Sequence, residues 1–270
     1  MALYQINPEY VLVYLRSELK KYICKHRLRS LVLGVSGGID SAVIAAIARP
    51  VCDELQIPLI GRSLPSTTNA DTEISRATLV GKAFCTDFDT TEIDAITSAL
   101  SVKCGLDNAE ACKGKLRQGN IKARVRMILL YDLAQSTNGC VLSTDNLTEY
   151  YLGFWTLHGD VGDIGMIQNI WKTDVYRLAR HIVNTETNAE RKEALKLCID
   201  AVPTDGLGIT KSDLEQIGAA TYKEVDDILY SYIFEYNDSI ETHPVIVRYR
   251  KSKFKRQNPN NFAIPNLPAK

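Results

Sequence analysis

The 270-residue chain has no surplus of either charge, since Lys+Arg and Asp+Glu each total 32. Nothing at this level asks for a nucleic-acid partner or an anionic membrane surface. No uninterrupted apolar run reaches about 18 residues, so no spanning helix is expected. The opening MALYQINPEY lacks a basic patch followed by an apolar run, so no secretory signal is expected either. Cysteine is present but unpatterned. The seven residues (Cys24, Cys52, Cys85, Cys104, Cys112, Cys140 and Cys198) are odd in number and form no CxxC pair. That excludes a zinc ribbon and argues against a disulfide frame; free thiols in a reducing cytoplasm are expected. Two nucleotide signatures are missing as well, the GxGxxG fingerprint and the GK[ST] of a Walker loop.

What is present is a rhythm. An amphipathic helix is predicted over residues 8–27, opened by Pro8. Short apolar runs at 31–35, 57–63, 84–88 and 139–143 read as buried parallel strands. Helical segments separate them at about 41–55, 69–83, 91–103 and 119–136. Strand–helix alternation predicts right-handed crossovers and an α/β, Rossmann-like parallel sheet with helices on both faces. Ligands then sit beyond the carboxyl ends of the strands, which places Ser36–Ser41, Leu64–Thr68 and Thr144–Glu149 along one rim. After residue 145 the chain turns helical, at 172–183, 187–199 and 221–235. It closes on a basic run, RYRKSKFKR at 248–256, and a Pro/Asn-rich coil from 257. With no repeat and no linker, residues 1–270 read as one domain with a helical C-terminal part.

The densest chemistry lies in SGGIDS, Ser36–Ser41, between the first strand and the helix after it. A helix N-terminus offers N–H groups and partial positive charge to an anion. Gly37 and Gly38 permit close backbone approach, and Ser36 and Ser41 add hydroxyls. Asp40 would repel a phosphate unless a cation lay between, and magnesium suits that place. The plainer reading is a glycine turn with Ser and Asp capping a helix.

SGGxDS resembles the pyrophosphate loop of the ATP pyrophosphatases, which adenylate a substrate and release pyrophosphate. Later blocks narrow the resemblance: GNIKARVRMILLYDLA (119–134), STDNLTEYYLGF (143–154), GDVGDIG (159–165), WKTDVYRLA (171–179), VPTDGLGITKSDLEQIGAATYKEVDDIL (202–229) and SKFKRQNP (252–259). They follow in the order seen in NAD synthetases, so the chain resembles that family from about residue 30 to 259. The resemblance is to the ammonia-dependent kind, because the glutamine-using kind carries a large amidase domain for which 270 residues leave no room. It implies an adenine nucleotide alpha-hydrolase-like fold, ATP as co-substrate, Mg²⁺, deamido-NAD and ammonia as substrates, and a homodimer. It also implies that Gly34, Val35, Ser36, Gly37, Gly38, Ile39, Asp40, Ser41, Thr144, Lys172 and Thr204 contact ATP. Asp40 and Glu149 would hold the metal; Arg124, Asp163, Phe254 and Lys255 would meet the dinucleotide, with Arg256 beside them. Asp163 and Lys172 are the implied catalytic residues.

From the residues alone each has a plainer reading. Lys122, Arg124 and Arg126 could form a solvated helix face, Thr144, Asp145 and Asn146 could be helix caps, and Lys172 a surface lysine. A cation in the first turn of a helix gains nothing from the dipole, which favours a function for Lys172. The chain departs from the family twice. Leu157 stands where a lysine is usual, and Phe254 where a histidine is usual; His158 and Lys253 lie next to them. Those departures keep a second acceptor in view, nicotinate mononucleotide. A remoter alternative, an RNA-modifying ATP pyrophosphatase, rests only on RYRKSKFKR.

Overall fold

The computed structural model describes residues 5–106, 111–203 and 213–260. Five strands form one parallel sheet: β1 (Ser30–Gly34), β2 (Leu59–Ser63), β3 (Asp87–Thr90), β4 (Gly139–Ser143) and β5 (Ile164–Gly165). Their order is β3-β2-β1-β4-β5, with Leu31 opposite Leu59 on one side of β1 and opposite Cys140 on the other. The chain builds outward through β2 and β3, then returns to the far side of β1. That reversal opens a crevice between the carboxyl ends of β1 and β4. The predicted rim is therefore real, and Ser36–Ser41 faces Thr144–Glu149 across it.

Alternation along β1 sorts the core. Leu31 and Leu33 point into a layer made by α1 (Pro8–His26), α2 (Ile39–Leu55), α3 (Asp71–Phe84), α7 (Lys172–Thr185) and α8 (Ala189–Ile199). Val32 points the other way, with Ile60 and Val141, toward Val125, Leu130 and Ala134 of α5 (Ala111–Ser136). The helix α4 (Asp94–Lys103) lies against α5. A third apolar cluster joins α6 (Leu147–Leu152), α9 (Asp213–Ile217), α10 (Tyr222–Phe234) and α11 (Pro244–Lys251) through Leu152, Trp171, Leu229 and Val245. The short α12 (Lys253–Arg256) ends this group. Among the described residues no helix is long and apolar enough to cross a membrane, and Cys24, Cys52, Cys85, Cys104, Cys140 and Cys198 are free.

Three differences from the sequence reading have simple causes. The apolar stripe Ala77, Val80, Phe84 keeps helical spacing, so Phe84 ends α3 in the core and β3 begins only at Asp87. β5 is two residues long, too short to show a period. The basic run, for which no element is predicted, supplies the second half of α11 and all of α12. The described start of the tail, 257–260, has no regular structure, as expected.

The helix behind the phosphate turn carries an internal weakness and its repair. Ala42, Ala45, Ala46 and Ala48 let the first part of α2, through Ala48, lie almost wholly buried. Pro50 cannot donate to the carbonyl four residues back. That carbonyl belongs to Ala46, and Arg16 of α1 donates to it from Nη2 at 3.2 Å. Burial lowers the pKa of the Arg16 guanidinium, and its Nε has no partner. Replacing Arg16 by Met should therefore cost about 1–3 kcal/mol in urea unfolding, the usual cost of a buried orphaned acceptor. The same substitution in a Pro50→Ala background should cost clearly less, because a backbone N–H then returns to Ala46.

Candidate active site

The turn after β1 is shaped by glycine. Gly37 sits at φ +80°, and a Cβ there would lie 2.4 Å from the Glu73 carbonyl oxygen and 2.8 Å from the Ala77 nitrogen of α3. No other residue fits that approach. The Ser41 hydroxyl donates to the Gly38 carbonyl at 3.1 Å, and Gly38 N donates to Ser36 Oγ at 3.2 Å. Gly38 is the N-cap of α2 and brings no side-chain cap. The start of α2 is thus left to whatever enters a cleft of about 440 Å³ lined by Gly34, Val35, Ser36, Gly38, Ile39 and Asp40. Gly37 and Ser41 do not line the cleft; they set its floor.

Opposite, β4 delivers Thr144 to the cleft and α6 delivers Glu149. Between them Asn146, fully buried, acts as a double bracket. Its Oδ1 accepts from Glu149 N at 3.1 Å, and its own N donates to Glu149 Oε2 at 3.3 Å, closing a capping box. Its Nδ2 then crosses to Asp40 Oδ1 at 2.9 Å. The remaining oxygens of the two carboxylates converge on one ammonium. Lys172 Nζ donates to Asp40 Oδ2 and, at 3.1 Å, to Glu149 Oε1.

Lys172 is only 3% exposed. Burial alone would weaken its charge, but the two carboxylates hold its pKa well above the usual lysine range. Burial pushes Glu149 up to about 8, even against the pull of Lys172, with Asp40 and Asp145 adding to the rise. Two carboxyl groups share one ammonium in a dry place. An ion with hard-oxygen preference, held by one or two carboxylates and completed by phosphate oxygens, suits that donor set. Asp40 and Glu149 are therefore the described residues that could hold magnesium.

The backbone under Lys172 is also tied down. Lys172 N donates to Thr148 Oγ1 at 2.9 Å, and that hydroxyl donates to Asp226 Oδ1 at 2.5 Å. Asp226 Oδ2 accepts from Thr173 N at 3.0 Å and from its hydroxyl at 2.8 Å. A wholly buried carboxyl from α10 thus caps the start of α7. Burial raises it to about 6, partly offset by those donors.

The acceptor end is arranged differently. Arg124 does not line the main cleft; it lies in an adjoining groove with Met127, Ile128, Tyr131, His158 and Val161. Its Nη2 donates to the Leu157 carbonyl at 3.0 Å. Met127 borders both spaces. Asp163 is likewise outside the cleft, with Oδ2 accepting from Val141 N at 2.9 Å and Oδ1 from Tyr131 Oη at 3.1 Å. The carboxylate of this loop that does line the cleft is Asp160, whose pKa burial raises. Phe254 is exposed and stands apart, while Lys255 reaches in and donates to the carbonyls of Gly153, at 2.7 Å, and Trp155. Arg256 does not line the cleft but clasps the carbonyls of Tyr151 and, at 2.7 Å, Tyr249. Thr204 lies outside the described residues. The sequence reading missed the bracketing role of Asn146, the Thr148–Asp226 link and Asp160. Only the S/T/D/N-x-x-E spacing of Asn146 and Glu149 was a visible signal, and it reads as a cap.

Known proteins resemble this chain in sequence and shape. The family model described as NAD synthase matches residues 11–259. An NH3-dependent NAD+ synthetase of Syntrophomonas wolfei is 34% identical over 84% of this chain and 86% of its own length. One from Thermoplasma volcanium is 32% identical over 87% and 90%. Among solved structures, the NMN synthetase of Francisella tularensis superposes with a TM-score of 0.79 at 26% identity, covering 97% of this chain and all of that one.

Two outcomes are expected from the bracket and the cap. Asn146→Ala should lower metal affinity or turnover 10–100-fold, as loss of a ligand-orienting partner usually does, checked by titrating activity with Mg²⁺. Asp226 holds a proton in the native state that the unfolded chain has already released between about pH 4 and about pH 6. Its contribution to stability therefore falls as pH rises through that window. The lead of the wild type over Asp226→Asn in urea unfolding should shrink across it and stay level above pH 7. On the family model and on relatives sharing about a third of its residues, the chain belongs to the NAD synthase family and is an enzyme of that family.

Proposed function

We propose that this chain amidates the nicotinate carboxylate of deamido-NAD with ammonia, consuming ATP and releasing NAD, AMP and pyrophosphate. In the first step a carboxylate oxygen attacks the α-phosphorus and the bond to the β-phosphate bridge breaks, giving an acyl-adenylate. In the second, ammonia attacks the acyl carbon, AMP leaves, and the new amide nitrogen sheds its extra proton.

The observation that supports this reading most is the meeting of Asp40, Glu149 and Lys172 beside the uncapped start of α2. The α2 N–H groups and the Ser36 hydroxyl receive phosphate oxygens, while Lys172 offers a fixed point charge where negative charge builds on the leaving group. A magnesium ion held by Asp40 and Glu149 would neutralise charge on the polyphosphate. The protein forms no covalent bond to substrate in this scheme, so positioning and charge placement supply most of the rate. Thr144 and Thr204 contact ATP, Lys255 borders the acceptor while Phe254 stays outside the cleft, and Arg124 meets its phosphates from the adjoining groove. Asp163, tied to Val141 N and Tyr131 Oη, holds the loop that faces the nicotinate end. The chain acts as a single domain, in the cytoplasm and as a homodimer.

A second reading has its own observation. Leu157 removes a lysine from the acceptor loop, and His158 is occupied with Asn258 at 3.1 Å. A smaller acceptor, nicotinate mononucleotide, needs fewer cations, and the likeness to the Francisella NMN synthetase points the same way.

Purified protein given ATP, Mg²⁺ and ammonium with either acceptor tests both readings. NAD, AMP and pyrophosphate from deamido-NAD, at a kcat/KM at least tenfold above that for the mononucleotide, is the expected result; the reverse ratio selects the second reading. Release of ADP and phosphate would overturn both. Asp40→Ala should abolish measurable turnover with either acceptor, and a variant of full activity would remove metal bridging from this account.

A further inference from the structure

The pyrophosphate turn has no lysine of its own, and Lys172 is already balanced against two carboxylates. A polyphosphate entering this cleft still needs a cation on the side of the turn away from Glu149. Most basic side chains around the cleft have other engagements. Arg62 forks onto Asp87 at 3.0 and 3.1 Å, Arg126 braces Leu64 O and Asn69 Oδ1, and Lys255 holds Gly153 O. Arg248 donates to the Leu152 carbonyl and lies over the Phe154 ring.

Arg76 differs. It projects from α3 to the cleft beside the turn, and its Nε donates to the Gly37 carbonyl at 3.1 Å. The same carbonyl accepts from Cys198 Sγ at 3.4 Å. The glycine at φ +80° aims its carbonyl at α3, and the absent Cβ lets the turn lie against the Arg76 Cβ, which a side chain at Gly37 would meet at 3.2 Å. One N–H thus fixes the guanidinium in place. Among the described residues nothing accepts from its two terminal nitrogens. A planar fork anchored at Nε and open at both Nη groups is the form in which arginine grips phosphate.

We propose that Arg76 binds the β- and γ-phosphates of ATP and holds the pyrophosphate as it departs, supplying from α3 the cation that the turn lacks. The assignment rests on the reading that this cleft splits ATP between its α- and β-phosphates. It predicts a loss confined to one half of the nucleotide.

The test is product inhibition of the wild type, Arg76→Gln and Arg76→Lys by pyrophosphate and, separately, by AMP. In Arg76→Gln the inhibition constant for pyrophosphate should rise at least tenfold and that for AMP should stay within twofold. Arg76→Lys, which keeps the charge but not the fork, should fall between. A pyrophosphate constant within twofold of the wild type overturns the assignment, as does an equal loss for both products, which would mean that Arg76 only shapes the turn. Should Arg76→Gln fold poorly, Arg76→Lys alone decides: an unchanged pyrophosphate constant with a weakened AMP constant also overturns it. If the wild type itself releases no pyrophosphate from ATP, the reading of the cleft fails first and separately.

Discussion

One ammonium between two carboxylates organises this molecule. Lys172 comes from α7, Asp40 from α2 and Glu149 from α6, three elements far apart in sequence that meet at the reversal of the sheet order. None of the three can be buried alone without a large penalty. Together they share one ammonium between two carboxyl groups, an arrangement whose oxygens suit a further cation. The supports follow from that arrangement. Asn146 takes the spare oxygen of each carboxylate, and Asp226, through Thr148 and Thr173, fixes the backbone from which Lys172 extends. The C-terminal helices therefore serve the active site although they touch the sheet little.

The division of labour across the cleft follows the same logic. One side is built on the first turns of helices, where N–H groups are fixed by the fold. The other, the acceptor side in the proposed reading, is built on a loop, 153–163, whose shape depends on bonds from other segments: Arg124 to Leu157, Lys255 to Gly153 and Trp155, and Tyr131 to Asp163. Rigid elements suit the chemistry shared by ATP-splitting enzymes, and a clasped loop suits the part that distinguishes acceptors.

Much of this was legible in the residues. Runs such as LVLGV and the alanine-rich helix after it made the parallel sheet and its rim visible, because buried strands and close-packed helices leave compositional traces. SGGIDS marked the tight turn into α2 because glycine at a close approach has no substitute. Less could be read where function depends on long-range pairing. Asn146 looks like a cap because it is one, and its second bond, to Asp40, spans 106 positions. Arg76 carries no motif, and only the placement of α3 against Gly37 shows what it faces. The basic run after residue 247 is ambiguous from composition, and of its cations Arg250, Lys251 and Lys253 stay exposed. Its charges suggest solvent, yet Arg248, Lys255 and Arg256 turn inward onto backbone carbonyls.

That last habit shapes how the acceptor loop can evolve. Lys255 and Arg256 hydrogen-bond Tyr151, Gly153, Trp155 and Tyr249 through main-chain oxygens, which every amino acid supplies, and add ring contacts at Trp155 and Tyr249. Apart from those two rings, side chains along the gripped segment can be exchanged with the hydrogen bonds intact, so the loop can be re-lettered while its fold is inherited unchanged. Two glycines are exceptions: a Cβ at Gly162 would meet the Val141 carbonyl oxygen at 2.7 Å and the Ser143 nitrogen at 2.8 Å, and Gly153 is held more tightly still. Its φ of +60° and its contact with Ser252, where a Cβ would come within 2.3 Å, leave it no alternative. A lineage changing its taste in substrate would be free at many letters of this stretch and bound at those two.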